Sequence, residues 1–234
     1  MELFLRLLLA HLLGDFVFQS KKWVAEKETK KLKSPKLYLH VLLHTILAFL
    51  FVWDLNLWYV PLIIGASHLI IDAAKLIIQT DKTRRILFFS DQLLHIAVIF
   101  LICFFNGNLD LSFQADKNTL LLITAIIFLT EPTSIFIKTL ISVYTPKTEM
   151  DKGDSLENAG KYIGMLERLL VFAFIITEHW EGVGFLIAAK SIFRFSDLTE
   201  AKDRKLTEYI LIGTLLSFGI AIVCSLLFLH YSFQ

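Results

Sequence analysis

The chain has 234 residues, 56% of them hydrophobic and 19% charged, with a formal net charge of +1 and a mean hydropathy of +0.63. A soluble domain of this size would be less apolar, and a nearly neutral chain has no bulk attraction for nucleic acid. The two cysteines, Cys103 and Cys224, both lie inside apolar runs. That excludes a disulfide framework and a Cys-type zinc site, and leaves them as small buried hydrophobes.

Crossing the hydrocarbon core as a helix takes roughly 20 apolar residues. The apolar runs fall at 2–18, 37–53, 58–79, 87–105, 120–144, 161–176, 182–195 and 209–229. They predict an all-α, polytopic transmembrane bundle of about six to eight helices. The first run is short and carries polar residues; the seventh is short enough to be re-entrant. The first has only Arg6 as an early positive charge and lacks a small-x-small cleavage pattern, so it reads as a retained membrane segment rather than a leader. The chain reads as one integral membrane domain over 1–234, with a His/Asp-bearing half at 1–105 and an Arg/Lys/Glu-bearing half at 119–234.

Basic residues occupy every second connection. The first holds Lys21, Lys22, Lys27, Lys30, Lys31, Lys33 and Lys36, and the later ones hold Lys82, Arg84 and Arg85, then Lys147 and Lys152, then Lys202, Arg204 and Lys205. The alternate connections carry only Lys117. The positive-inside rule therefore places the basic loops in the cytoplasm and both termini outside. The Lys-rich first loop also carries Glu26 and Glu28 and is expected to form a short surface helix. Its charge is explained by topology, with contact to anionic headgroups as an addition.

Four of the apolar runs share one spacing. The first carries His11 and Asp15, the second His40 and His44, the third His68 and Asp72, and the fourth Asp91 and His95. Each pair is i, i+4 and so shares one helix face, one turn apart. Measured from the cytoplasmic ends, all eight fall within a slab roughly 5–15 Å deep, given a rise of about 1.5 Å per residue. Ionisable groups in a bilayer face the bundle interior and need partners. Imidazole and carboxylate one turn apart are a common way for a helix to offer two ligands to a cation. Eight candidate ligands exceed one tetrahedral site and suit two divalent ions. Zinc is the first choice, and manganese or iron is compatible with a site lacking thiolates. Hydrogen-bonded packing between helices and a proton or ion pathway are the alternatives. His179 and His230 lie at the outer ends and read as interface residues.

The second half also carries charge inside its apolar runs: Glu131 beside Pro132, Lys138, Glu167 and Arg168, Lys190 and Arg194, and Glu208. Arg168, Lys190 and Arg194 are candidates to receive a phosphate. The competing reading is mutual pairing, for example of Glu167 or Glu208 with Arg194, together with snorkelling to the surface.

HLLGDFVFQ, HLIID, GKYIGMLER, GFLIAAKSIFRF and EYILIGTLLSF, in that order over nearly the whole chain, resemble a bacterial family of inner-membrane proteins known only as a domain of unknown function. More loosely, the chain resembles YdjM-type membrane-bound metal-dependent hydrolases, whose HxxxD pattern is similar to that of zinc-dependent phospholipase C and P1-type nucleases. That resemblance implies metal ligands at His11, Asp15, His68 and Asp72. HVLLH and the reversed DQLLH depart from it, so His40, His44, Asp91 and His95 rest on spacing and depth.

The function expected is a membrane-embedded metal-dependent hydrolase, a phosphoesterase acting on a lipid or lipid-linked phosphate from the cytoplasmic side of a bacterial inner membrane. Asp15 or Asp91 would take a proton, with membrane lipids as partners and no nucleic acid. The alternatives are a metal-ion or proton transporter using the same cluster, and a non-catalytic membrane component that docks a cytoplasmic partner through its Lys-rich loop. The absence of a P-loop and of GxSxG leaves an ATPase or serine hydrolase without support.

Overall fold

The computed structural model describes residues 2–106, 116–145, 154–195 and 201–232, without the side chains of 154–159, 193–195 and 201–206. Lys147, Lys152 and the side chains of Arg194, Lys202, Arg204 and Lys205 lie outside the described residues. Among the described residues the protein is all-helical and has no strand.

Helix α1 (Glu2–Leu12) runs directly into a π-helical turn, Leu13–Val17, closed by Phe18 N–H donating to Leu13 O at 2.8 Å. Ser20 then starts α2 (Lys21–Lys30) by accepting from the Trp23 amide. The chain bends by 82° between these two helical stretches, so α2 crosses the end of the bundle as a surface helix. A 3-10 turn, Lys31–Lys33, leads to α3 (Pro35–Val52). Ser34 caps α3 and Pro35 opens it, where a missing N–H costs nothing. Helix α4 (Tyr59–Ile78) follows a short 3-10 turn capped by Asp54, and α5 (Arg84–Phe105) follows the TDKT turn.

Beyond these lie α6 (Lys117–Leu129), α7 (Glu131–Leu140), α8 (Asp154–Ile176), α9 (Trp180–Phe195) and α10 (Ala201–Ser232). Among the described residues five helical stretches are long and apolar enough to cross a membrane: Pro35–Val52, Leu55–Ile78, Arg84–Phe105, Lys117–Tyr144 and Thr207–Ser232. The bent N-terminal pair would make a sixth. The runs at 161–176 and 182–195 are not among them: α8 carries Lys161, Glu167 and Arg168 in its apolar half, and α9 has only 16 residues. Large apolar side chains such as Leu42, Leu50, Leu62, Leu93, Phe104 and Leu215 are exposed. That is the pattern of a membrane protein, whose apolar surface faces lipid rather than water.

The chain divides into two compact units, Met1–Thr124 and Ala125–Gln234. In the first, α1 packs on α3 and α5, α3 on α4, and α4 on α5, which closes a four-helix ring. The ring is sorted along its length. Leu3, Leu7, Ala48, Val52, Val60, Ile64, Ile99 and Ile102 form an apolar core at one end, and the His/Asp residues lie toward the other. Arg6 is buried at the apolar end, where it donates to Phe51 O (3.0 Å) and Val52 O (3.2 Å) and pairs with Glu2. It thereby satisfies carbonyls left open at the end of α3.

In the second unit α8 packs on α10, α9 and α7. The helix break at Thr130, just before Pro132, frees backbone carbonyls inside the unit. The buried Arg168 guanidinium takes them up. Its Nε donates to Leu129 O (2.6 Å), Nη2 to Thr130 O (3.0 Å) and Ser134 Oγ (2.6 Å), and Nη1 to Ser217 Oγ (3.1 Å). Broken helices persist in membrane bundles where protein groups re-satisfy the freed backbone in this way.

Candidate metal centre

The eight His and Asp residues singled out by spacing converge in the first unit. His11, His40, His44, His68, Asp72, Asp91 and His95 are all at least 95% buried, and the Asp15 side chain is 10% exposed. Each pair comes from a different wall of the ring, α1 with its π-turn, α3, α4 and α5, so a face defined by i, i+4 spacing becomes a face pointing inward. The π-turn matters locally. It contains Asp15 and widens the helix at the point where the carboxylate meets α3; such turns are frequent at functional sites.

The contacts form one network. Asp15 Oδ1 lies 3.1 Å from both His44 Nε2 and His40 Nε2, and its Oδ2 accepts from Gln92 Nε2 at 2.7 Å. His11 Nδ1 lies 3.4 Å from His68 Nε2, and His11 Nε2 lies 3.2 Å from Gln92 Oε1. The His68 ring sits between those of His44 and His95, with centroids 3.7 Å away on either side. His40 Nε2 approaches Asp72 Oδ2 at 3.7 Å, while Gln19 Nε2 meets its Nδ1 at 2.9 Å.

Among the described residues three subsets bring donor atoms within 4.8 Å of one another: His11, Asp15, His44 and His68; His40, His68 and Asp72; and Asp15, Asp91 and His95. Asp15 and His68 each belong to two subsets, so the groups adjoin. Three buried atoms, His68 Nδ1, Asp91 Oδ1 and His95 Nε2, have no hydrogen-bond partner. His95 Nε2 faces Asp72 Oδ1 at 3.5 Å and Asp91 Oδ1 at 3.6 Å, at or beyond the limit of a hydrogen bond. Buried polar atoms without partners are rare. Here they sit on residues of the candidate ligand sets: Asp91 and His95 belong to one of the groups, and His68 to the other two. The buried His/Asp groups can hold a metal ion by number, chemistry and spacing.

Spacing alone had not marked four polar residues of the network. Lys27, from α2, is 7% exposed and donates to Asp72 Oδ2 at 2.9 Å. Lys75 donates to Asp91 Oδ2 at 2.9 Å. Gln92 and Gln19 make the contacts given above. Lys75 was readable in principle, since 68, 72 and 75 share one helical face, and Gln19 is one turn beyond Asp15. Nothing local marks Lys27 among the lysines of its loop.

Of the residues considered for phosphate, Arg168 is the clamp on the α6–α7 break, and Lys190 is paired with Glu167. Both belong to the second unit, and the partner proposed for Glu167, Arg194, lies outside the described side chains. Glu131 is likewise paired, with Lys161.

Residues 3–141 match the family described as "Protein of unknown function (DUF3307)". The chain belongs to this family. The matched region takes in every His and Asp of the cluster, together with Lys27, Lys75 and Gln92. No curated protein and no solved structure matches the chain significantly.

Proposed function

We propose that this protein is a membrane-embedded, metal-dependent hydrolase, a phosphoesterase acting on a lipid or lipid-linked phosphate. The observation that carries the reading is the set of adjoining, buried His/Asp groups, three of whose residues keep an unpartnered buried atom. His11, Asp15, His44 and His68 would hold one divalent ion, and His40 and Asp72, which adjoin that group at His68, would share in holding a second, leaving Asp91 to act beside them. Zinc is the first choice, and manganese or iron suits the same donors. A pair of such ions, when bound, lowers the pKa of water and holds the oxygens of a phosphate ester.

The chain's own groups divide the remaining work. Asp15 is fully occupied by imidazole and amide partners, which suits a ligand. Asp91 keeps Oδ1 without a hydrogen bond while Lys75 and Gln92 hold Oδ2, which suits the acceptor of a proton. Gln92, bridging His11 and Asp15, fixes both side chains as partners of metal ligands commonly do.

The Lys- and Arg-bearing connections 21–36 and 82–85 flank the polar end of the ring. By the positive-inside rule that end faces the cytoplasm of a bacterial inner membrane, with the termini outside. The apolar core beyond the histidines, from Leu3 to Ile102, supports hydrolysis at a closed site over passage of an ion across the ring.

The test is elemental analysis of detergent-purified wild type beside His68→Ala and Asp72→Ala, followed by assay of phosphate release from lipid phosphates. About one or two transition-metal ions per chain, lost in the variants, together with release, is the expected result. No bound metal after reconstitution, or bound metal without hydrolysis of any lipid phosphate, counts against the reading.

A further inference from the structure

Helix α2 inverts the usual logic of a surface helix. Such helices dock through an apolar stripe, yet the one buried residue of α2 is Lys27. The helix is otherwise latched by polar contacts: Glu28 with Arg84 (2.7 Å) and Gln79 (2.9 Å), and Lys31 Nζ, beyond its end, with Ile77 O (3.4 Å). A charged side chain on a small helix is thus held over the cluster by its ion pair with Asp72 and by exchangeable bonds at the rim.

The charge balance says what this arrangement responds to. Three carboxylates, Asp15, Asp72 and Asp91, face two ammonium groups, Lys27 and Lys75. With neutral imidazoles the cluster carries excess negative charge, and the lysines offset most of it. Divalent cations among the same donors would reverse the sign. Asp72 would then divide its charge between a cation and Lys27, and a buried ammonium beside added positive charge needs an anion. Two divalent ions would leave the site strongly positive, which a multiply charged anion offsets better than a carboxylate does. Trp23 and the exposed Lys21, Lys22 and Lys30 on the same helix are the residue types found at headgroup depth.

Resting on the metal reading above, we infer that Lys27 is a phosphate-binding residue: when cations occupy the cluster, its ammonium turns from Asp72 to the phosphate group of a ligand that enters beneath α2. A lipid headgroup and a phosphate free in solution present the same group to Lys27, and the experiment distinguishes them.

The experiment uses the full chain in detergent, loaded with zinc or chelated, as wild type, Lys27→Met and Lys27→Arg. Metal per chain is measured first, and inorganic phosphate is then titrated calorimetrically. Loaded wild type binds phosphate and chelated wild type does not. Lys27→Met keeps its metal but binds phosphate about tenfold or more weakly, while Lys27→Arg restores most of the affinity. Phosphatidic acid in phosphatidylcholine micelles is added as a competitor. Competition in wild type but not in Lys27→Met assigns the phosphate to a headgroup, and phosphate binding without competition assigns it to a soluble ester.

Unchanged phosphate affinity in Lys27→Met overturns the inference. So does loss of metal from that variant, which would make Lys27 a positioning partner of Asp72 only. Metal-loaded wild type that binds no phosphate overturns it while leaving the metal site standing. Wild type without metal removes the underlying reading and the inference with it.

Discussion

Gly14 and His44 are in such close contact that a methyl group on Gly14 would lie 2.4 Å from the imidazole of His44. Glycine at this point of the π-turn lets α3 bring His44 flat against the backbone, and this places His44 Nε2 3.1 Å from Asp15 Oδ1. The small residue beside Asp15 is therefore part of the site's geometry.

Gly14→Ala is expected to displace the His44 ring while leaving the helices in place. Metal affinity should fall by about 10- to 100-fold, the range seen when groups that orient ligands are lost. Zinc titration against a competing chelator checks this. Undiminished affinity would show that His44 is not a ligand.

The pairs of the cluster were legible because helical periodicity turns i, i+4 spacing into a shared face, and because charge in a bilayer must face inward. His11 with Asp15 and His68 with Asp72 needed nothing more. Lys75 obeys the same rule but sits in the last turn of α4, where a lysine also reads as a topology signal. Lys27 was hidden for a different reason: its burial depends on the 82° bend after the π-turn, and no local pattern encodes that angle. Arg168 was visible as a charge in an apolar run. Its partners, though, are carbonyls freed by a helix break 38 and 39 residues earlier, so its role could be read only from tertiary structure.

Arg168→Met tests that role. The substitution leaves Leu129 O and Thr130 O without their donor inside the second unit. A cost on the order of 3 kcal/mol is expected, from lost charge-assisted hydrogen bonds and unsatisfied carbonyls. A denaturant titration monitored by helicity reads it. Metal content per chain should not change, since the proposed ligands all lie in the first unit. A variant as stable as wild type would refute the clamp.

The crossing of α3 and α4 offers a paired test. A methyl group on Gly65 would fall 2.1 Å from Thr45 Oγ1, but 3.4 Å from its Cβ. Gly65→Ala should therefore destabilise by about 1–3 kcal/mol through overpacking. Thr45→Ala removes the obstructing hydroxyl, whose own bond is only to Val41 O one turn earlier. The double variant should recover most of the loss, giving a coupling energy of about 1 kcal/mol or more in a double-mutant cycle. Additive losses would mean that the helices do not cross at these residues.

Metal removal gives the last prediction its sign. Cations that bind the folded cluster and not the unfolded chain stabilise the fold by mass action, about 2.7 kcal/mol at a free concentration one hundred times Kd. Chelation should therefore lower the thermal unfolding midpoint of wild type, and readdition of zinc should restore it. His68→Ala removes a donor shared by two of the three ligand groups, so its midpoint should respond weakly or not at all to either treatment. Protons compete with a metal for imidazole nitrogens, so the zinc-dependent part of the stability should shrink as the solution is acidified. Differential scanning fluorimetry in detergent, with and without chelator at several pH values, measures each term. A wild-type midpoint insensitive to chelator and zinc at all of those pH values would mean that the cluster is satisfied by its own hydrogen bonds, with Lys27 and Lys75 as its permanent cations.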